Sequence, residues 1–253
     1  MEADSDFSKR RIAAYRAAYR PKTFDRQTLT ARRYVLAREG PYTVCYAPIG
    51  ARPRTHDRLI FVGITPGFEQ MQLAAKLFIS LPPSKRHEGV AYSNALRVRV
   101  AFGGPMRTIL FEMLETVRLP QAFGVDCAAD LFSAECKEVA TTSALVFPTF
   151  RNGKNLGRVR AGQHVKIFDD MLESQLIPRL NAAPDALIIA LGSTAQVLVD
   201  RAILNHHTKN GKTIDGRRVL TGFPHPSGNN GHRHQQLGER RNSLRRQIRR
   251  YFA

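Results

Sequence analysis

The 253-residue chain contains no tryptophan and only three cysteines, Cys45, Cys127 and Cys136. An odd number of thiols at wide spacing does not make a disulfide framework and suits a reducing compartment. Acidic residues are scarce: 21 Asp and Glu stand against 39 Lys and Arg, leaving a net charge of +18. Long apolar runs are missing, and none approaches the ~20 residues that a membrane-spanning helix needs. The opening MEADSDFSKRR is acidic, then basic, with no apolar stretch, so it does not read as a secretory signal. Internal repeats and low-complexity segments are also lacking. These absences exclude a disulfide-stapled scaffold, a helical membrane span and a wholly disordered chain. The expected setting is the cytoplasm. What is present, 43% hydrophobic residues, suffices for a sizeable core.

The positive charge is concentrated at the two ends. Ten Lys and Arg fall between Lys9 and Arg38. Among them IAAYRAAY and ARRYVLARE read as two helices separated by Arg20-Pro21-Lys22. In the last twenty residues Leu237, Leu244, Ile248 and Tyr251 recur at helical steps, which predicts a packed amphipathic helix with a basic outer side. A chain this basic points first to a polyanion, most often nucleic acid. A solubility surface without a partner is the alternative reading of the same charge.

Between the ends the pattern alternates. Strands are predicted at 58–64, 137–146, 186–191 and 218–221, each rich in apolar or β-branched residues. Helices are predicted from Phe68 to Ser80, Pro105 to Arg118, His164 to Leu180 and Ser193 to Leu204. Such alternation implies an α/β fold, a three-layer α/β/α sandwich around a central four-stranded, mainly parallel sheet, with basic helical segments at both termini. The whole of 1–253 reads as one domain. It comprises a basic helical extension at 1–40, a motif-bearing core at 58–233 and a basic helix at 234–253.

Ligands of such sheets bind outside the carboxyl ends of the strands. The segments there are Gly63-Ile-Thr-Pro-Gly67, Thr142-Ser143, Leu191-Gly-Ser-Thr-Ala-Gln196 and His225-Pro-Ser-Gly228. Gly63–Gly67, then Ala101-Phe-Gly-Gly-Pro-Met-Arg107, then Leu191–Gln196 and His225–Gly228 resemble, in this order, four motifs of the uracil-DNA glycosylase superfamily. The resemblance implies a monofunctional glycosylase that extrudes uracil from single- or double-stranded DNA and hydrolyses its N-glycosidic bond. An extruded base needs a stacking face and donors on its edge. Phe102 is the implied stacking face. His225 would donate to uracil O2 as negative charge develops there, with Gly63 and Ile64 amides as further donors. Ser193 and Gln196 would grip a DNA phosphate, and Ser227, Asn229 and Asn230 would enter the duplex.

The chain departs from the superfamily at several of these places. Thr65 stands where better-known members carry Asp or Asn to activate water, and Glu69, one helical turn on, is the substitute. Thr142 and Ser143 replace a base-reading asparagine, with Asn152 and Asn155 as alternatives. Gly67 stands where many members have a tyrosine that excludes thymine, which assigns that task to Phe68. No leucine wedge follows His225, so His232 or Arg233 would fill the vacated stack. One branch of the superfamily holds an iron–sulfur cluster on four cysteines, and three cannot supply it, so neither metal nor cofactor is expected. A monomer is expected. Three rivals are a uracil- or damage-binding protein of the same fold without turnover, motivated by Thr65, a metal-dependent nuclease built on His225, His232 and His234, and a non-enzymatic basic DNA-packaging protein.

Overall fold

A computed structural model describes residues 6–49, 52–86, 89–160, 162–211, 214–228 and 230–253. The strands are β1 (Val35–Glu39), β2 (Tyr42–Cys45), β3 (Leu59–Gly63), β4 (Val139–Ser143), β5 (Thr149–Arg151), β6 (Lys154–Asn155), β7 (Leu187–Ala190) and β8 (Val219–Leu220). The α-helices are α1 (Lys9–Ala18), α2 (Arg26–Leu29), α3 (Phe68–Ser80), α4 (Val90–Arg99), α5 (Pro105–Thr116), α6 (Leu119–Phe123), α7 (Lys166–Met171), α8 (Ile177–Asn181), α9 (Ser193–Asn210) and α10 (Arg233–Phe252).

The fold is mixed α/β. Its central sheet has the order β4-β3-β7-β8 and every pairing in it is parallel. All five residues of β3 are buried, as both faces of a parallel sheet require. Leu59 and Phe61 join one apolar cluster with residues of α5, α6 and α10, whereas Ile60 and Val62 join another with residues of α3, α4, α7 and α9. The period-two alternation of a strand is what sends neighbours to opposite clusters. The four predicted strands and the α3 helix thus lie where the sequence places them, and α10 buries Leu237, Leu244 and Ile248 as expected.

Two expectations are corrected. The stretch 31–39 is not a second helix: a 3₁₀ turn at Arg32–Tyr34 leads into β1, which pairs antiparallel with β2. Glu39 pairs with Tyr42 across a two-residue Gly40-Pro41 turn, and Gly40 has φ +51, a conformation glycine adopts without steric cost. Cross-strand pairing therefore overrides the helical preference of Ala and Arg here. Residues 6–40 also pack against the rest of the chain. Tyr19, Leu29, Tyr34 and Leu36 are buried, and Tyr15 and Arg11 donate to the carbonyls of Val35 and Leu36. Finally, the helix predicted over 164–180 is interrupted by a π-helical turn at Leu172–Leu176. Pro178, which has no amide hydrogen to give and whose ring crowds the carbonyl four residues back, accounts for the widened turn.

A second, antiparallel sheet, β1-β2-β5-β6, was not foreseen. Its β5–β6 hairpin turns at Asn152 and Gly153, both with positive φ (+49 and +71). That pair matches the Asn-Gly signature of a tight hairpin.

Candidate active site

The strand-end loops converge as the parallel topology dictates. Past β3 and β4 the pairing continues, with the Ala144 and Leu145 amides donating to the Gly63 and Ile64 carbonyls. Beside this edge lies a pocket holding about 390 Å³ of atom-free space, counting the solvent at its mouth. Phe102, Thr142, Ser143, Pro66 and Gln70 are among its lining residues.

Gly63 packs closely at this strand end. A Cβ there would lie 3.3 Å from Phe102 Cε1 and 3.4 Å from Ser143 Oγ, so a side chain would press the ring and hydroxyl aside by a few tenths of an ångström. Thr142 brings an unusual group: its Oγ1 is buried and has no hydrogen-bond partner among the described residues. Buried hydroxyls are normally paired, so an unpaired one in a residue that lines the pocket is an exception.

Phe102 is held under strain. Its φ is +51, rare for an aromatic residue, and such a conformation costs about 1–3 kcal/mol. The Arg107 guanidinium stabilises it by donating to the carbonyls of Arg97, Val98 and Ala101, tying down the end of α4. The ring packs edge-on with Phe61 and Phe132, 6.4 and 6.3 Å away between centroids. Phe102 is thus both a core residue and a wall of the pocket.

His225 lies across the sheet, in the loop after β8. Its Nδ1 accepts the Ser227 amide hydrogen at 3.1 Å. A backbone amide can only donate, so Nδ1 carries no proton and Nε2 does. Burial lowers the His225 pKa below its usual value, so the ring is neutral at neutral pH. The loop is braced by Asn230, whose side-chain amide donates to the His225 carbonyl and to Gln236. Gly192, at φ +89, comes so close that a Cβ there would sit 2.6 Å from the His225 Cβ.

A relative that matches over nearly the whole chain accompanies this geometry. The protein YoxB of Bacillus subtilis (strain 168), described as uncharacterized, is 32% identical over 244 residues, covering 95% of this chain and 92% of YoxB. The chain belongs to the YoxB family. No family model matches it.

In this YoxB-family chain the other expected site residues fall into three groups. Ser193 is exposed at the first turn of α9, where free amides favour anions. His232 is exposed at the start of α10. Other side chains are committed elsewhere. The Thr65 hydroxyl donates to the Phe147 carbonyl and accepts from the Thr149 amide, joining the β3 loop to the second sheet. Gln196 turns back along α9 to Asp200, and Arg233 folds onto the Asn230 carbonyl. Phe68 packs under the Arg26 guanidinium at 4.2 Å, and Ile64 packs against the core. Glu69 is exposed and does not line the pocket. Asn229 lies outside the described residues.

Sequence reasoning missed Gln70 and understated Asn155. Gln70 lines the pocket, its Oε1 accepting the Gly67 amide hydrogen. Asn155 accepts the Phe68 amide hydrogen at 3.1 Å from 87 positions away, a contact that no local pattern announces. Among the described residues no three His, Cys, Asp or Glu side chains are grouped to hold a metal ion, and no helix is long and apolar enough to cross a membrane.

Proposed function

We propose that this protein is a uracil-DNA glycosylase of the superfamily its motifs resemble, with the three-layer α/β/α arrangement that the resemblance implies. The observation that carries the reading is the state of His225: neutral, proton on Nε2, and braced through Nδ1 by the Ser227 amide. An extruded base would enter beside Phe102, with the Thr142 and Ser143 hydroxyls on its edge. Its sugar would span the strand ends towards His225. As the N1–C1′ bond breaks, its electron pair passes to the uracil ring and oxygen O2 gains negative charge. The His225 Nε2–H group would stabilise that charge by a hydrogen bond. Water then adds to C1′, and the proton it releases passes through solvent to the uracil anion, leaving free uracil and an abasic sugar.

Incubating the protein with an end-labelled oligonucleotide that holds one uracil, then treating it with alkali, tests this directly. Scission at the uracil position only after alkali is the expected result. Intact strands overturn the excision reading.

One observation favours the second reading, binding without turnover. Neither group assigned to activate water faces the pocket, because Thr65 is committed to backbone groups and Glu69 points to solvent. Tight binding of uracil-containing strands whose glycosidic bonds persist would select it. In both readings the partner is DNA, the chain acts as a monomer, and the setting is the cytoplasm.

A further inference from the structure

The β5–β6 hairpin carries features that the pocket does not use. Arg151 and Lys154 face each other in register, and with Arg158 they line an open groove of about 690 Å³, counting the solvent above it. No carboxylate lines this groove. Like charges placed opposite each other on a sheet are destabilising, so the arrangement calls for an anion.

Asn155 supplies a fourth donor, and its orientation is set. Its Oδ1 accepts the Phe68 amide hydrogen, while its Nδ2 would lie 3.3 Å from a Cβ on Gly67, so the missing side chain there gives it room. The Nδ2 group donates to no other residue among those described. Gly67 adjoins Pro66, and Gln70 binds the Gly67 amide. Pro66 and Gln70 line the Phe102 pocket, so the segment 66–70 connects that pocket to Asn155 on the groove.

The hairpin is anchored. Thr149 donates to Thr65, and Arg26 donates to the Gly153 carbonyl while stacking over Phe68 and Phe150. Among the described residues the exposed large apolar side chains, Leu73, Val90 and Leu204, lie elsewhere, and Leu156, which lines the groove, is buried, so no exposed apolar side chain there stands ready to enter a lipid bilayer.

We infer that this groove holds the sugar–phosphate backbone of a nucleic-acid strand, with Arg151, Lys154, Arg158 and Asn155 Nδ2 as phosphate donors. The strand would be set so that a base can turn into the pocket across the segment 66–70. The inference rests on the nucleic-acid part of the proposed function and not on excision.

Its test is therefore binding of a single-stranded oligonucleotide without uracil, followed by fluorescence anisotropy across a salt series. Lys154→Ala with Arg158→Ala should weaken binding at least tenfold. The slope of log affinity against log salt should become shallower by about 1.4, as expected for two lost phosphate contacts on a single strand. Asn155→Asp, which keeps the acceptor for Phe68 but sets a negative charge towards the phosphate, should weaken binding with an unchanged melting temperature. Arg246→Ala with Arg249→Ala, on α10, serves as the comparison. Unchanged affinity and slope in the hairpin variants, or a loss confined to the α10 variant, would overturn the inference. So would anionic phosphatidylserine vesicles that bind the protein more tightly than the oligonucleotide and lose binding in the hairpin variants. Groove binding that persists without any excision would leave the inference standing and refute only the excision reading.

Discussion

Gly192 and His225 meet across the loops that follow β7 and β8, with only 2.6 Å between the His225 Cβ and the place a Cβ on Gly192 would occupy. The Gly192 amide donates to the Phe223 carbonyl at 3.0 Å, so the two loops are also joined through their backbones. Gly192→Ala would bring both a clash and a side chain at φ +89. Expected outcomes are a loss of about 1–3 kcal/mol in urea unfolding from backbone strain alone, and a displaced His225. Imidazole NMR shifts should reveal the displacement, and excision should fall with it. A fully stable variant with unchanged His225 resonances would contradict the contact.

Two threonines invite a paired comparison. Thr142 Oγ1 is buried without a partner, and an unsatisfied buried hydroxyl costs about 1–3 kcal/mol. Thr142→Val should therefore leave stability unchanged or higher while weakening affinity for a uracil oligonucleotide several-fold. Thr65→Val should do the reverse to stability, because the Thr149 amide loses its acceptor; about 1–3 kcal/mol is expected. Denaturant curves of the two variants decide whether the hydroxyls differ as the geometry says.

The pH dependence of stability follows from His225. Burial sets its folded pKa below the ordinary 6.5, so between those values the unfolded chain binds more protons than the folded one. Stability therefore rises with pH through that window and is lost as pH falls below about 6.5 towards the folded pKa. His225→Asn should remove this part of the slope. Unfolding measured at several pH values from 5 to 7.5 in both proteins checks it, and parallel profiles would count against a buried neutral ring. Protonation of the folded ring would also cost the Ser227 bond, so excision should hold through that window and decline only as pH falls through the folded pKa.

Arg107 is expected to govern Phe102 without touching a ligand. Its guanidinium holds the Arg97, Val98 and Ala101 carbonyls that end α4. Arg107→Ala should cost about 2 kcal/mol, within the range for charge-assisted hydrogen bonds. Amide hydrogen exchange should accelerate at residues 100–104 while α3 remains protected. Uniform acceleration would place the loss in global stability and not in the Phe102 turn.

Much of the scaffold was legible because it is written in local pattern. The run Leu59–Gly63 is apolar throughout and ends in glycine, and the buried strand sits there; α3 follows over Phe68–Ser80 as its composition and the Pro66-Gly67 start imply. Leu237, Leu244 and Ile248 mark the inner face of α10 by spacing alone. The same local reasoning failed at 31–39, where Ala and Arg suggest a helix but pairing with Tyr42–Cys45 yields a strand. Gly40-Pro41 and Asn152-Gly153 were the available hairpin signals for the second sheet.

By itself, then, the sequence determined the parallel sheet, the basic surface and the positions of the strand-end motifs, since periodicity, turn residues and charge act over a few positions. Only the tertiary structure decided what those motifs do to one another. It brought Gly192 against His225, left Thr142 Oγ1 unpaired, committed Thr65 to backbone groups and set Asn155 beside Gly67. Each of these is an approach of a few ångströms between residues distant in the chain. Such approaches are fixed by how strands pair and cores pack, and no local pattern encodes them.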